Sequence, residues 1–130
     1  MRRLMALAVA AALALAVMAT TAAARTESKF SLVEVQKSSR RVGNHFVNHG
    51  VLFVPGTSTV AGTDRVKFSR KGNVHAVARF PDGKIKAQGN VNASRILVVG
   101  GSGRWNGAAG KIKIHQLSRR KTLLDFAIVQ

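Results

Sequence analysis

Five carboxylates stand among 21 Lys and Arg side chains in this 130-residue chain, and two of them, Glu34 in FSLVEVQK and Asp64 in AGTDRVKF, interrupt apolar runs. An acid that points into an apolar interior loses its hydration and binds its proton more tightly, which suits it to proton transfer or to anchoring a polar ligand group. Glu34 is the candidate catalytic residue on that ground. The alternative is a solvent-facing acid paired with a nearby Lys, a contact worth little. Asp64, in GTD, reads as a turn leading into a strand, its carboxylate accepting local backbone donors. His45 and His49 share a face in either a helix or a strand. No neighbouring Cys or acid completes a ligand set around them, so no metal is expected and the histidines read as surface groups.

The segment VVGGSGRWNGAAGKIKIHQL, residues 98–117, offers a different chemistry, because glycine-rich loops can cradle phosphate. Its spacing argues against that. Gly101, Gly103, Gly107 and Gly110 do not make G-x-G-x-x-G, and Lys111 is followed by Ile112 where a nucleotide-phosphate loop needs Ser or Thr. The residues after the glycines alternate with period two, so the segment feeds a strand and reads as a bend in a sheet. No cofactor is expected.

Basic clusters recur at Arg40-Arg41, Arg70-Lys71 and Arg119-Arg120-Lys121, all in segments that read as loops. The chain carries a formal charge of +16, which speaks for polyanionic partners rather than for a fold. Base-reading motifs and stacking aromatics on a sheet face are lacking, so specific nucleic-acid binding is not expected. Three clusters on one small domain could instead form a rim that binds an extracellular polyanion.

The elements that must position these groups come after a leader. Arg2 and Arg3 precede an apolar run from Leu4 to Met18, then small residues to Ala24, the pattern of a cleaved secretory signal. A retained membrane anchor is the alternative, since the run is just long enough to span. Residues 1–24 are expected to be removed and residues 25–130 to form one secreted domain. Without Arg2 and Arg3 that domain keeps 19 basic side chains against 5 acidic ones, about +14. It has no Cys, so it must be held by sheet hydrogen bonding, burial and assembly rather than by disulfides.

Turn signals at KSSRR, Pro55-Gly56, Lys71-Gly72-Asn73, Pro81-Asp82-Gly83, residues 92–94, the glycine segment and residues 118–121 divide the domain into short β-type runs. Eight strands are predicted, near residues 29–36, 46–54, 59–68, 73–80, 84–92, 95–99, 111–117 and 122–129. In KIKAQGNVN the apolar and polar residues alternate, as in a half-buried antiparallel strand. RILVV and TLLDFAIV are apolar on both faces and need cover on two sides. The interior of an all-β, eight-stranded antiparallel barrel supplies one cover, and a neighbouring subunit in a homo-oligomer, a trimer or dimer, is a natural second.

GGSGRWNGAAGKIKIHQL resembles the glycine signature of the allene oxide cyclase and dirigent barrels, a GG-[ST]-G-x-aromatic stretch before the penultimate strands. GKIKAQGNV and GVLFVPGTSTVAGTDRV resemble two upstream segments of the same barrels, so the likeness covers most of residues 50–130 in order and spacing. It implies an eight-stranded antiparallel barrel with an apolar cavity. It also implies a ligand: a small hydrophobic or phenolic molecule, bound and steered through stereocontrol or isomerisation. Glu34 falls at the cyclase's glutamate, Gln36 at its asparagine and Phe68 near its cysteine, while Ala109 stands where dirigent proteins often carry Arg, and the chain has no Tyr. Neither catalytic set is intact. The resemblance therefore implies a ligand-holding barrel, isomerase or cyclase-like if it is an enzyme, with Gln36, Phe68 and Trp105 as ligand-binding candidates. Trp105 fills the aromatic slot of the signature, as a wedge closing one end of the barrel or as a platform for a ligand. The rival reading is a non-enzymatic cationic module that uses the barrel only as scaffold.

Overall fold

The computed structural model describes residues 25–93 and 95–130, and the expected leader lies outside them. The elements are β1 (Glu27–Val42), β2 (His45–Phe53), β3 (Val60–Ser69), β4 (Asn73–Phe80), β5 (Gly83–Asn90), a 3-10 turn (Val91–Ala93), β6 (Arg95–Gly103), β7 (Ala109–Gln116) and β8 (Lys121–Val129). Each strand pairs antiparallel with the next and β8 pairs with β1, so the sheet closes into a barrel in chain order. Closure removes the two sheet edges that a disulfide-free domain of this size would otherwise have to protect.

In such an up-and-down barrel alternate connections lie at the same end. The β1–β2, β3–β4, β5–β6 and β7–β8 turns share one end, while the β2–β3, β4–β5 and β6–β7 connections, the start of β1 and the end of β8 share the other. At that second end Thr26 and Gln130 exchange two backbone hydrogen bonds of 3.0 Å. The Gln130 side chain also donates to the carbonyls of Arg104 and Asn106.

This second end is closed by aromatic packing. Trp105, 4% exposed, turns in from the β6–β7 connection against Phe30 and Phe80, with ring centroids 5.6 and 6.4 Å away. Phe30 stacks in turn on Phe126 at 4.7 Å. The glycine segment is a sheet bend, because β6 runs on to Gly103 and β7 starts at Ala109. Gly101 is needed where it stands: a Cβ there would lie 2.5 Å from the carbonyl oxygens of both Lys84 and Trp105. The bare backbone lets the tryptophan fold over the barrel end.

One predicted turn is corrected. KSSRR lies within β1, and the chain reverses only at Gly43-Asn44, where Gly43 has φ +61°. The β1–β8 pairing stops at Val35–Lys121, while β1–β2 pairing continues to Val42–His45. Residues 37–42 therefore project past the β8 turn with one side unpaired, and the cluster of Lys and Arg on that stretch blunts it against edge-to-edge association.

Candidate functional site

Inward-facing residues follow from the period of two. On β1 these include Leu32 and Glu34, on β2 Asn48, Gly50 and Leu52, and on β3 Asp64, Val66 and Phe68. Of these, Glu34, Asn48, Asp64, Val66 and Phe68, together with small apolar residues of β4 and β5 (Ala76, Ala78, Ala87) and larger ones of β6, β7 and β8, enclose a cavity of about 240 Å³. The alanines leave the room that bulkier side chains would fill. The walls are apolar apart from Glu34, Asn48, Asp64 and Thr122.

The polar groups converge on one side. Gly50 pairs with Gln36 across the β1–β2 ladder and with Asp64 across β2–β3, which brings the carboxyls of Glu34 and Asp64 together over a residue without a side chain. A Cβ at Gly50 would stand 2.6 Å from Asp64 Oδ1, 2.9 Å from Glu34 Cγ and 3.0 Å from Glu34 Oε2. Gly50 is thus the floor on which the acid pair rests. Asp64 is 8% exposed. Burial first, then the hydrogen bonding and charge of Glu34, push its carboxyl from the ordinary 3.8 up to about 9, against the opposing pull of the Gly50 backbone N–H. Asp64 therefore keeps its proton through neutral pH. Reaching toward each other across β2, the two carboxyls present an acid beside a potential acceptor, as general acid–base chemistry requires.

Asn48 lies beside the pair, its Nδ2 donating to Gln36 Oε1 at 3.3 Å. Two acceptor oxygens at this place, Asp64 Oδ1 and Asn48 Oδ1, are buried without a hydrogen-bond partner among the described residues. A buried acceptor left unpaired costs roughly 1–3 kcal/mol, so both are set up to receive a donor. A third unpartnered atom, Trp105 Nε1, belongs to the closed end.

Of the residues singled out in the sequence, Glu34 and Phe68 line the cavity. Gln36 supports Asn48 from the next inward position along β1, and Trp105 plugs the closed end without lining the cavity. Asp64 departs from its reading as a turn residue: it lies inside β3, buried beside Glu34. Parity carries the signal, because Asp64 shares its face with Val66 and Phe68. His45 and His49 sit on β2 with no third His, Cys, Asp or Glu grouped around them among the described residues.

The basic clusters gather. Arg40-Arg41, Arg70-Lys71 and Arg119-Arg120-Lys121 flank or occupy the β1–β2, β3–β4 and β7–β8 turns, so topology puts all three at the end opposite Trp105. All seven are exposed, and none forms an ion pair among the described residues, where the pairs are Lys29–Glu27, Arg104–Asp82 and His115–Asp125. The cavity opens toward this end. Val91, in the β5–β6 connection there, lines the cavity and is itself 47% exposed.

A second polar cluster lies on the outside of the barrel. Ser31 Oγ donates to Asp125 Oδ1 at 2.5 Å, and His115 Nε2 is 3.0 Å from Asp125 Oδ2. The aspartate holds Ser31 and His115 on separate oxygens, so the imidazole does not address the hydroxyl and the cluster does not make a Ser–His nucleophile.

No protein-family model and no curated protein matches the sequence. Nineteen chains of solved structures match. Among them is a protein named pyocyanin demethylase, at a TM-score of 0.63 and 12% identity, with 77% of this chain and 98% of that chain covered. At this identity the likeness is one of fold alone: the chain is an all-β, closed eight-stranded antiparallel barrel.

Proposed function

We propose that the protein is a small-molecule-binding barrel, dirigent-like in role, that acts outside the cell on one apolar or aromatic ligand and steers its reaction through the Glu34–Asp64 pair. The observation that carries this is a cavity with apolar walls whose few polar groups converge at one place, the usual make-up of a ligand site. The barrel it shares with pyocyanin demethylase is compatible with ligand handling. At about 240 Å³ the cavity lies between the roughly 150 Å³ that admits benzene and the roughly 300 Å³ at which drug-sized pockets begin. A ligand of one or two rings suits it, and a long acyl chain would have to protrude.

The allene oxide cyclase and dirigent resemblance supports the same reading, with Glu34 at the cyclase's glutamate, although the acid pair with Asp64 is a feature of this chain's own geometry. A trimer or dimer would cover the outer apolar face where Val33 of β1 pairs with Phe53 of β2 and Leu123 of β8. The test is uptake of naphthalene and naphthol, followed by calorimetry and native mass spectrometry. Ala76→Phe, which fills the cavity from β4, should abolish uptake while circular dichroism stays unchanged. A parent protein that takes up neither probe would sink the reading.

The gathering of the basic clusters at one end favours the second reading, a cationic module that adheres to an extracellular polyanion. Retention on heparin should then weaken steeply with salt and should survive Ala76→Phe, whereas uptake of a neutral ring compound should scarcely respond to salt.

A further inference from the structure

Cavity and basic end are parts of one molecule, and their relative placement narrows what can enter. The acid pair and the two unpartnered oxygens sit on one wall inside. The mouth lies where Arg40, Arg41, Arg70, Lys71, Arg119, Arg120 and Lys121 gather. All five acids of the chain lie elsewhere: Glu34 and Asp64 inside, Glu27 and Asp82 at the closed end, and Asp125 on the outer face of β8. The potential at the mouth is therefore of a single sign, and a cationic ligand would be repelled before it reached the interior.

We propose that the ligand is an anionic ring compound bearing a hydroxyl or N–H donor at the end remote from its anionic group: the donor enters first and bonds Asp64 Oδ1 or Asn48 Oδ1, the rings fill the apolar cavity, and the anion stays at the basic mouth. The proposal rests on the small-molecule reading above and deepens it by naming the ligand class.

Three physical requirements meet in such a molecule. The interior oxygens are acceptors without a partner among the described residues, so a ligand donor gains a bond there that the protein does not supply. The discrimination from a missing donor is large for that reason. The apolar walls reward rings but reject a charge, which must remain where it can be solvated and neutralised. Arg and Lys around the mouth supply that neutralisation and draw the anion in from a distance. The closed end excludes the reverse passage, because Trp105, Phe30 and Phe80 block it.

A set of four probes separates the contributions: naphthalene, naphthol, naphthoate, and hydroxynaphthoate with its two groups at opposite ends of the ring system. Dissociation constants are measured for the parent protein, for Asp64→Ala with Asn48→Ala, and for a mouth variant carrying Gln at all seven basic positions. Hydroxynaphthoate should bind the parent most tightly, with the hydroxyl improving on naphthoate by about tenfold. The interior variant should lose this hydroxyl gain, read as its own ratio of hydroxynaphthoate to naphthoate affinity, and a circular dichroism spectrum like the parent's shows that it is folded. The mouth variant should lose the gain from the carboxylate and keep the gain from the hydroxyl. Should the mouth variant fail to fold, rising salt on the parent gives the same reading: the carboxylate gain shrinks and the hydroxyl gain stays. Equal binding of all four probes, or gains that survive their variants, overturns the ligand class but leaves the ligand barrel standing. No binding of any probe overturns the barrel reading beneath it.

Discussion

Replacing Asp64 with Asn keeps the shape of a buried side chain and removes its titratable proton, so the stability difference between the two proteins across pH isolates what burial does to this carboxyl. In the unfolded chain the group titrates near its ordinary 3.8, and in the folded barrel near 9. Below the lower value both states hold the proton. Between the two values only the folded state does, so each rise in pH favours the unfolded chain, and the stability present at low pH is lost progressively until the folded pKa is reached. One proton gives a slope of about 1.4 kcal/mol per pH unit. Between about pH 5 and pH 8 the parent should therefore lose up to about 4 kcal/mol relative to Asp64→Asn, a large share of a typical stability of about 5–15 kcal/mol. Urea unfolding at fixed moderate salt reads this directly, since slopes of about 1–3 kcal/mol per molar turn it into a midpoint shift on the order of 2 M. Among the residues lining the cavity Glu34 is the other acid. Glu34→Gln removes its hydrogen-bonding and charge contributions but leaves burial, the largest cause, so the decline should persist and end at a lower pH. A difference between parent and Asp64→Asn that stays flat from pH 5 to pH 8, or that changes in the opposite direction, would refute the claim that the pair is buried together.

Gly50→Ala places a Cβ 2.6 Å from Asp64 Oδ1 and should cost about 1–3 kcal/mol by overpacking, with weaker uptake of naphthol in titrations. Trp105→Ala should cost about 3–5 kcal/mol in denaturant unfolding while naphthalene affinity changes little, because the indole closes the barrel without lining its cavity. Gly110→Ala drives a Cβ into the Ala127 carbonyl oxygen, so hydrogen exchange should accelerate across β7 and β8, where the two strands pair.

Much of this architecture is legible in the sequence. Turn signals and short β-type runs locate all eight strands, and where a strand is half-buried, as in KIKAQGNVN, its alternation shows which face is covered. The glycine segment declares itself a bend by failing the spacings that phosphate loops require. KSSRR misleads because charged and small residues resemble a turn, although an exposed strand projecting past its neighbour uses the same residues. Asp64 misleads for a related reason: the local GTD pattern suggests a turn more strongly than parity links the residue to Val66 and Phe68. The position of Gly50 under the acid pair is beyond local reading, since it depends on the register of three strands at once. The gathering of the basic clusters needs only the counting of alternate turns once closure in chain order is known.

The hydrogen-bonded meeting of Thr26 and Gln130 beside Trp105 also decides how the barrel can be presented to its surroundings. The start of β1 and the end of β8 leave from the face opposite the mouth, so a tag, a fusion partner or a solid support joined after Gln130 orients the opening outward. Joining the two ends directly and cutting the chain at another turn is geometrically simple. A circular permutant opened at the Pro55-Gly56 turn, on the same side as the original ends, would keep the mouth intact and allow the order of the strands to be varied independently of what they enclose.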